Sequence, residues 1–256
     1  MSIHPTALID PDARIGNAVA VGAYSIVGPG CRIGDGTRLG AHVVLERDVH
    51  LGNECFVAPG AVLGGDPQDL KFGGEVAPVV VGDRTTIREC VTLNRGTSAH
   101  GRTEIGSDCL IMAYAHVAHD CIIGNRVIIA NSVQMGGHVE IHDWAIVGGL
   151  TAIHQFARIG AHAMVGGASA VRKDVPPFVK ASGHPMQVIG LNTVGLRRRG
   201  FDNGTLQSIR HAHRLLFQST LNVSQAIARI REEVEQTDAV IQLVQFIKSS
   251  KRGIAI

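Results

Sequence analysis

The sequence predicts a mainly β chain: a parallel β-helix followed by a small α-helical C-terminal domain. Three observations carry this. Aliphatic residues recur at every sixth position, small residues recur at a second position of the same six, and from about Asn203 the period changes to a helical one.

The first aliphatic series is Ile3, Ile9, Ile15, Val21, Val27, Ile33, Leu39, Leu45, Leu51, Val57 and Leu63. A second runs from Ile105 through Ile111, Val117, Ile123, Ile129, Met135, Ile141, Val147, Ile153, Ile159 and Val165 to Val171, and Val81, Ile87 and Leu93 form a short block between them. Four residues after the aliphatic comes a small side chain, as at Ala7, Ala13, Ser25, Cys31, Thr37, Cys109, Ala115 and Cys121. A period of six is neither helical nor simple strand alternation. Each hexad reads as a short strand and a turn, with the aliphatic pointing inward and the small residue filling a crowded corner. Three hexads close one triangular coil, and coils stack at the strand spacing of roughly 4.8 Å.

Two stretches break the register, 64–80 and 94–104. Both are rich in Gly and polar residues and should loop out of the coil, where binding groups tend to collect. The repeat ends after Val175-Pro176-Pro177, and the β-helix is assigned to residues 1–186, the helical domain to 187–256. In that domain Leu206, Ile209, His213 and Leu216-Phe217 share one helix face. Ala226, Ile227, Ile230 and Val234 share a second, after Ser224 as a cap, and Thr237 caps a helix carrying Val240, Leu243, Val244 and Ile247. These helices should cover the open end of the solenoid.

The bulk numbers fit this architecture. Hydrophobic residues make up 45% and aromatics only 4%, so the core must be aliphatic. A net charge of +2 gives no reason to expect nucleic-acid binding. No apolar stretch is long enough for a membrane span, and the start, Met1-Ser2-Ile3-His4-Pro5, does not read as a signal peptide. Five Cys with no CxxC point away from disulfides and towards a cytoplasmic location, and four of them occupy the small corner position, where packing explains them.

The histidines carry the chemistry. His116 and His119 lie in Ala115-His116-Val117-Ala118-His119-Asp120; His138 follows His119 by nineteen residues, and His154 follows His138 by sixteen. With eighteen residues per coil, His119, His138 and His154 fall near one corner of three consecutive coils, none of them at the inward position. Three readings compete: polar residues on a repetitive wall, a metal site of the kind that gamma-class carbonic anhydrases build from histidines, and a general base. A base suits His, whose pKa lies near neutrality, and Asp120 beside it could fix its tautomer. A Gly-Gly turn such as Gly136-Gly137 could offer backbone N–H groups to an oxyanion.

His116-Val117-Ala118-His119-Asp120-Cys121, Gly137-His138-Val139, Ala152-Ile153-His154-Gln155-Phe156, Asp174-Val175-Pro176-Pro177 and Gly195-Leu196-Arg197-Arg198-Arg199-Gly200-Phe201 closely resemble the acyl-[acyl-carrier-protein]–UDP-N-acetylglucosamine O-acyltransferases. Gln68-Asp69-Leu70-Lys71 and Asn94-Arg95-Gly96-Thr97 extend the likeness over nearly the whole chain. The resemblance implies a left-handed coil and a homotrimer with active sites between neighbouring solenoids. It implies transfer of a 3-hydroxyacyl group from acyl carrier protein to the glucosamine 3-hydroxyl of UDP-N-acetylglucosamine, the first step of lipid A synthesis, without a cofactor or metal. By motif, His119 is the general base, Asp120 orients it and Gly137 supplies an oxyanion N–H. His138, His154 and Gln155 line the substrate site. Gln68, Asp69 and Lys71 belong to the sugar-binding loop, and His116 is a neighbouring contact. Asn192, Arg198 and Arg199 face the nucleotide, where bidentate Arg suits a phosphate; a solvated turn is the other reading of the arginine run. Gly167 matches the position that limits acyl length, and Gly there implies a longer chain. The sequence departs from the pattern at Asn94, where the family often has His, and at Val194, where an acidic residue is common. A related N-acyltransferase is the alternative; that family usually carries an extra N-terminal domain, whereas here the repeat starts at Ile3. A 3-amino acceptor sugar stays open, as does a non-catalytic scaffold.

Overall fold

The computed structural model describes residues 1–256. Two- to four-residue strands wind into a three-faced prism. Face I starts at Ser2–Ile3, face II at Leu8–Ile9 and face III at Arg14–Ile15, with eleven, nine and eight strands respectively, the last two of face I being longer strands beyond the coil. Pairing within the coil is parallel, and each aliphatic meets its equivalent one coil on, as in Ile111↔Ile129 and Ile129↔Val147. The aliphatic positions are buried from Val21 to Val171, whereas Ile3 at the N-terminal end is 36% exposed. Cys31, Cys55, Cys109 and Cys121 are buried free thiols in this wall, and burial pushes Cys121 up to about 12.

The two excursions preserve the register. Val57 pairs with Ile87, thirty residues on, and Leu93 with Val117, twenty-four on, against the usual eighteen. The additions are therefore two hexads and one, so the inward series resumes on the correct face. The loops run between the strands Val62–Gly65 and Val79–Val81, and between Thr92–Asn94 and Thr103–Ile105. They brace each other. Buried Arg95 pairs with Asp66 and lies over Phe72, Ser98 N–H donates to Glu75 at 2.9 Å, and Gly96 N–H donates to the Ala77 carbonyl at 3.0 Å.

Beyond the coil the strands Val179–Gly183 and Met186–Leu191 form an antiparallel hairpin that extends face I. Four helices follow: α1 (Thr193–Arg198), α2 (Asn203–Phe217), α3 (Val223–Glu233) and α4 (Asp238–Lys248). They bury their own cluster, including Leu206, Ile209, Ile230, Val240 and Leu243, while Met186, Val188 and Phe217 pack on the end of the solenoid core. The cap of α3 is Asn222, not Ser224: Asn222 and Gln225 form a reciprocal capping box, and Ser224 is already inside the helix. Thr237 caps α4 as expected. The C-terminal tail returns to the prism, where Asp174 N–H donates to the Gly253 carbonyl at 3.0 Å and Ala255 N–H to the Asp174 carbonyl at 2.8 Å.

Candidate active site

The corner between faces II and III gathers the histidines. Three successive turns stack there: Ala118-His119-Asp120, Gly136-Gly137-His138 and His154-Gln155-Phe156. Their ladder is set by His138 N–H donating to the His119 carbonyl and Phe156 N–H to the Gly137 carbonyl, at 3.0 and 3.1 Å. The histidines are neighbours but not equivalents. One column reads His119, Gly137, Gln155, and the next reads Asp120, His138, Phe156. The second column lies in the left-handed region, with φ of 59°, 60° and 64°, which costs a non-glycine residue energy and is held here by the ladder.

Asp120 is the anchor. Its Oδ1 accepts from Thr97 N–H at 2.9 Å and its Oδ2 from the Thr97 hydroxyl at 2.7 Å, while its own N–H donates to Thr103 at 2.9 Å. His119 Nδ1 lies 2.8 Å from Oδ2. Burial works to raise the Asp120 carboxyl, but the hydrogen bonds from His119 and Thr97 outweigh it and hold the group below the usual carboxylate range. The ionised carboxylate only accepts, so Nδ1–H donates and the Nε2 lone pair of His119 is left free. The His119 side chain is 11% exposed.

Gly137 stands where no side chain fits: a Cβ would sit 2.6 Å from Cε1 and Nε2 of His119. Its N–H has no hydrogen-bond partner within the chain. His138 packs edge-on to His119 with centroids 5.1 Å apart and stacks on Phe156 at 4.4 Å. Burial pushes the His138 pKa down, with Asp120 opposing; the charges of His100 and Asp69, one on each ejected loop, also act on it. His154 and Gln155 are exposed, and His154 Nδ1–H donates to the Gln155 carbonyl at 2.9 Å. His116 is drawn aside: its Nδ1 lies 2.7 Å from the Thr92 hydroxyl one coil back, and burial lowers its pKa. Gln68 and Lys71 are exposed on the first loop, whose turn is closed by Lys71 N–H donating to Asp69 at 3.0 Å. A cleft of about 610 Å³ opens at this corner, with Asp120, His138, Phe156, Arg158, Lys251 and Arg252 in its walls.

The remaining predicted residues lie at other corners. Asn192, Arg198 and Arg199 are at the corner between faces III and I. Asn192 is buried and caps α1 by accepting from Gly195 N–H at 3.2 Å; Arg198 is exposed; Arg199 lies over the Trp144 ring at 5.0 Å. Gly167 is exposed at the third corner, where a Cβ would meet the Gly149 carbonyl at 3.1 Å. Thr97 and Phe156 belong to the sequence motifs, but the motifs assign them no role. The signal for Phe156 is its spacing of eighteen from His138; Thr97 reaches Asp120 across an irregular loop and leaves no periodic trace.

One ligand atom each from His119, Asp120 and His138 lies within 4.8 Å of the others, close enough for a cation. Asp120 Oδ2, the oxygen that faces both histidines, already accepts from the Thr97 hydroxyl and from His119, so coordination through it would dismantle the clamp. That geometry favours a base over a metal site.

The comparisons with known proteins agree with this geometry. Residues 174–255 match the model of UDP N-acetylglucosamine O-acyltransferase domain 2, and residues 12–47, 30–65 and 102–137 match the bacterial transferase hexapeptide model. The acyl-[acyl-carrier-protein]–UDP-N-acetylglucosamine O-acyltransferase of Chlorobaculum parvum is 56% identical over 98% of this chain and 96% of its own length. The chain belongs to that family. The Myxococcus xanthus member is 46% identical over 98% of both chains. Among solved O-acyltransferase structures, that of Moraxella catarrhalis superposes with a TM-score of 0.96 at 40% identity over the whole of both chains, and that of Acinetobacter baumannii with 0.95 at 42% identity over 99% of both. The family fold is therefore this parallel β-helix with its helical extension. No helix is long and apolar enough to cross a membrane.

Proposed function

We propose that the protein transfers a 3-hydroxyacyl group from acyl carrier protein to the 3-hydroxyl of UDP-N-acetylglucosamine, the opening step of lipid A synthesis. The observation that carries this is the clamped pair: Asp120 fixed by two bonds from Thr97 and holding His119 Nδ1–H, with Nε2 unbonded and the His119 ring against Gly137, whose N–H has no partner within the chain. The sugar hydroxyl gives its proton to His119 Nε2 as its oxygen attacks the thioester carbonyl carbon. Negative charge moves to the carbonyl oxygen, where the Gly137 N–H donates to it. Collapse breaks the C–S bond, and the leaving thiolate recovers the proton from His119. Asp120 stays ionised and stabilises the transient imidazolium.

The distribution of the parts supports a homotrimer. His154-Gln155-Phe156, His162 beside Arg199, and Gly167 follow one another around a single coil, each at a different corner. One chain cannot aim three corners of a prism at one substrate. Parallel solenoids packed side by side do so, with His119 from one copy facing Arg199 or Gly167 of a neighbour. In this arrangement Asp69 and Lys71 hold the sugar, His138, His154 and Gln155 line its path, Arg198 and Arg199 meet the phosphates, and Gly167 ends the acyl groove.

The N-acyl alternative is not favoured, because the full-length relatives are O-acyltransferases. The deciding experiment offers 3-hydroxyacyl carrier proteins of several lengths with UDP-N-acetylglucosamine and with its 3-amino analogue, read by mass. An O-acylated product is expected; transfer to the 3-amino sugar alone would overturn the acceptor assignment.

A further inference from the structure

The corner between faces III and I carries a device that the transfer chemistry does not use. Arg126, Trp144, His162 and Phe178 occupy equivalent turn positions in successive coils, all with φ between 55° and 69°. Trp144 stacks on His162 at 6.1 Å and His162 on Phe178 at 5.8 Å, while Phe201 closes edge-on to His162 at 5.0 Å. The backbone N–H of His162 keeps the ladder bond to the Asp143 carbonyl at 3.0 Å, and two further polar contacts go to the segment that follows the hairpin. Its Nδ1 lies 3.1 Å from Arg199 Nη1, and its carbonyl accepts from Asn192 Nδ2 at 2.9 Å.

We propose that His162 is a positioning residue for substrate binding, its ring holding the Arg199 guanidinium and its carbonyl holding Asn192, so that one corner residue sets where α1 presents cationic N–H groups to a diphosphate. This rests on the reading of Arg199 as a phosphate contact. A guanidinium only donates, so Nδ1 must be the acceptor and the ring must be neutral, with its proton on Nε2. The surroundings enforce that state: burial pushes the His162 pKa down to about 4, the Arg199 charge adds to the shift, and Asp143 only partly opposes it. With Nη1 held by His162 and the guanidinium carbon over the Trp144 ring, the other N–H groups of Arg199 have no side-chain partner in the chain and are pre-oriented for a ligand.

The test uses the full-length enzyme and steady-state kinetics in both substrates. His162→Phe and His162→Leu remove the acceptor. Both residue types already occupy left-handed turn positions of this prism, at Phe178 and Leu150, so the backbone tolerates them. His162→Asn puts an acceptor oxygen near the place of Nδ1. The acceptor-free variants should raise KM for UDP-N-acetylglucosamine about tenfold, with kcat and the KM for acyl carrier protein within about threefold of wild type. His162→Asn should restore the sugar-nucleotide KM to within about threefold. An unchanged KM in a folded acceptor-free variant, or a folded His162→Asn as weak as His162→Phe, overturns the proposal. Arg199→Met separates the two levels. If it leaves KM unchanged, the phosphate reading fails and this one with it; if it raises KM while His162→Phe does not, only the positioning role fails.

Discussion

The corners at His119 and at His162 are built from the same hexad with the same left-handed turn, yet one is a polar clamp and the other a stacked column. At the III/I corner the side chains form a ladder of their own. Arg84 pairs with Asp108 at 2.7 Å, Arg126 lies over Trp144 at 4.9 Å, and rings continue to Phe178. At the II/III corner the column of Asp120, His138 and Phe156 stacks only from His138 upward. Below it the coil is interrupted by an ejected loop, and Thr97 from that loop turns Asp120 into a buried, fully bonded carboxylate. The repeat supplies identical backbone at both corners. Chemistry arises where a loop reaches back to bond a side chain that the ladder alone would leave unsatisfied.

The largest effect that tests this contrast is removal of the base. His119→Ala should lower kcat on the order of a hundredfold or more while the circular dichroism spectrum and Tm stay near wild type. A normal rate in that variant would return the corner to the status of a scaffold. Loosening the clamp should do less. Thr97→Val keeps the backbone donor to Asp120 and loses the hydroxyl donor, so kcat should fall about tenfold, in line with one hydrogen bond to a charged group. Thr97→Ser should recover most of the rate. If Thr97→Val is as fast as wild type, the loop is a brace for the fold and the difference between the corners lies elsewhere.

At the third corner, Gly167→Met should leave the proton transfer intact and move acyl preference several-fold towards shorter carrier-bound chains, because on the proposed function an added side chain at this exposed position shortens the acyl groove. An unchanged preference would remove Gly167 from the substrate path.

How much of this could be read from residues alone depends on whether the information is periodic. The aliphatic series located every coil. The eighteen-residue count brings His119, His138 and His154 to one corner, although His138 sits one column after His119 and His154 one column before it. α1 is six residues long with Leu196 as its buried residue, too short for a helical period to show. Ser224, two residues past the true cap of α3, competes as a capping type, whereas the reciprocal Asn222–Gln225 spacing identifies the start. The Thr97 clamp joins residues twenty-three apart through irregular backbone, and no local pattern encodes it. The dispersal of the predicted site residues over three corners likewise follows only once the faces are assigned.

The smallest expected effect separates the corners by acid sensitivity. His162 is held neutral down to about pH 4, while in the unfolded chain its pKa returns to 6.5. Between those values the unfolded state binds a proton that the folded state refuses, so stability falls as pH drops from 6.5 towards 4 and is fully present above 6.5. Discounted for the partial exposure of the ring, the loss is about 1 kcal/mol. Asp120 has a depressed pKa, so its contribution is present above the unfolded carboxylate value and is lost only as pH falls through its lower folded one. Urea midpoints measured from pH 7 to 3 should therefore show the His162→Asn variant with a shallower slope between 6.5 and 4 and an unaltered slope below. Asp120→Asn should do the reverse. His116 and His138 are also lowered by burial and steepen the wild-type curve in the upper window, so the comparison is between variants rather than against a flat line. If His162→Asn tracks wild type throughout, the neutral imidazole is not what the III/I corner is built to hold.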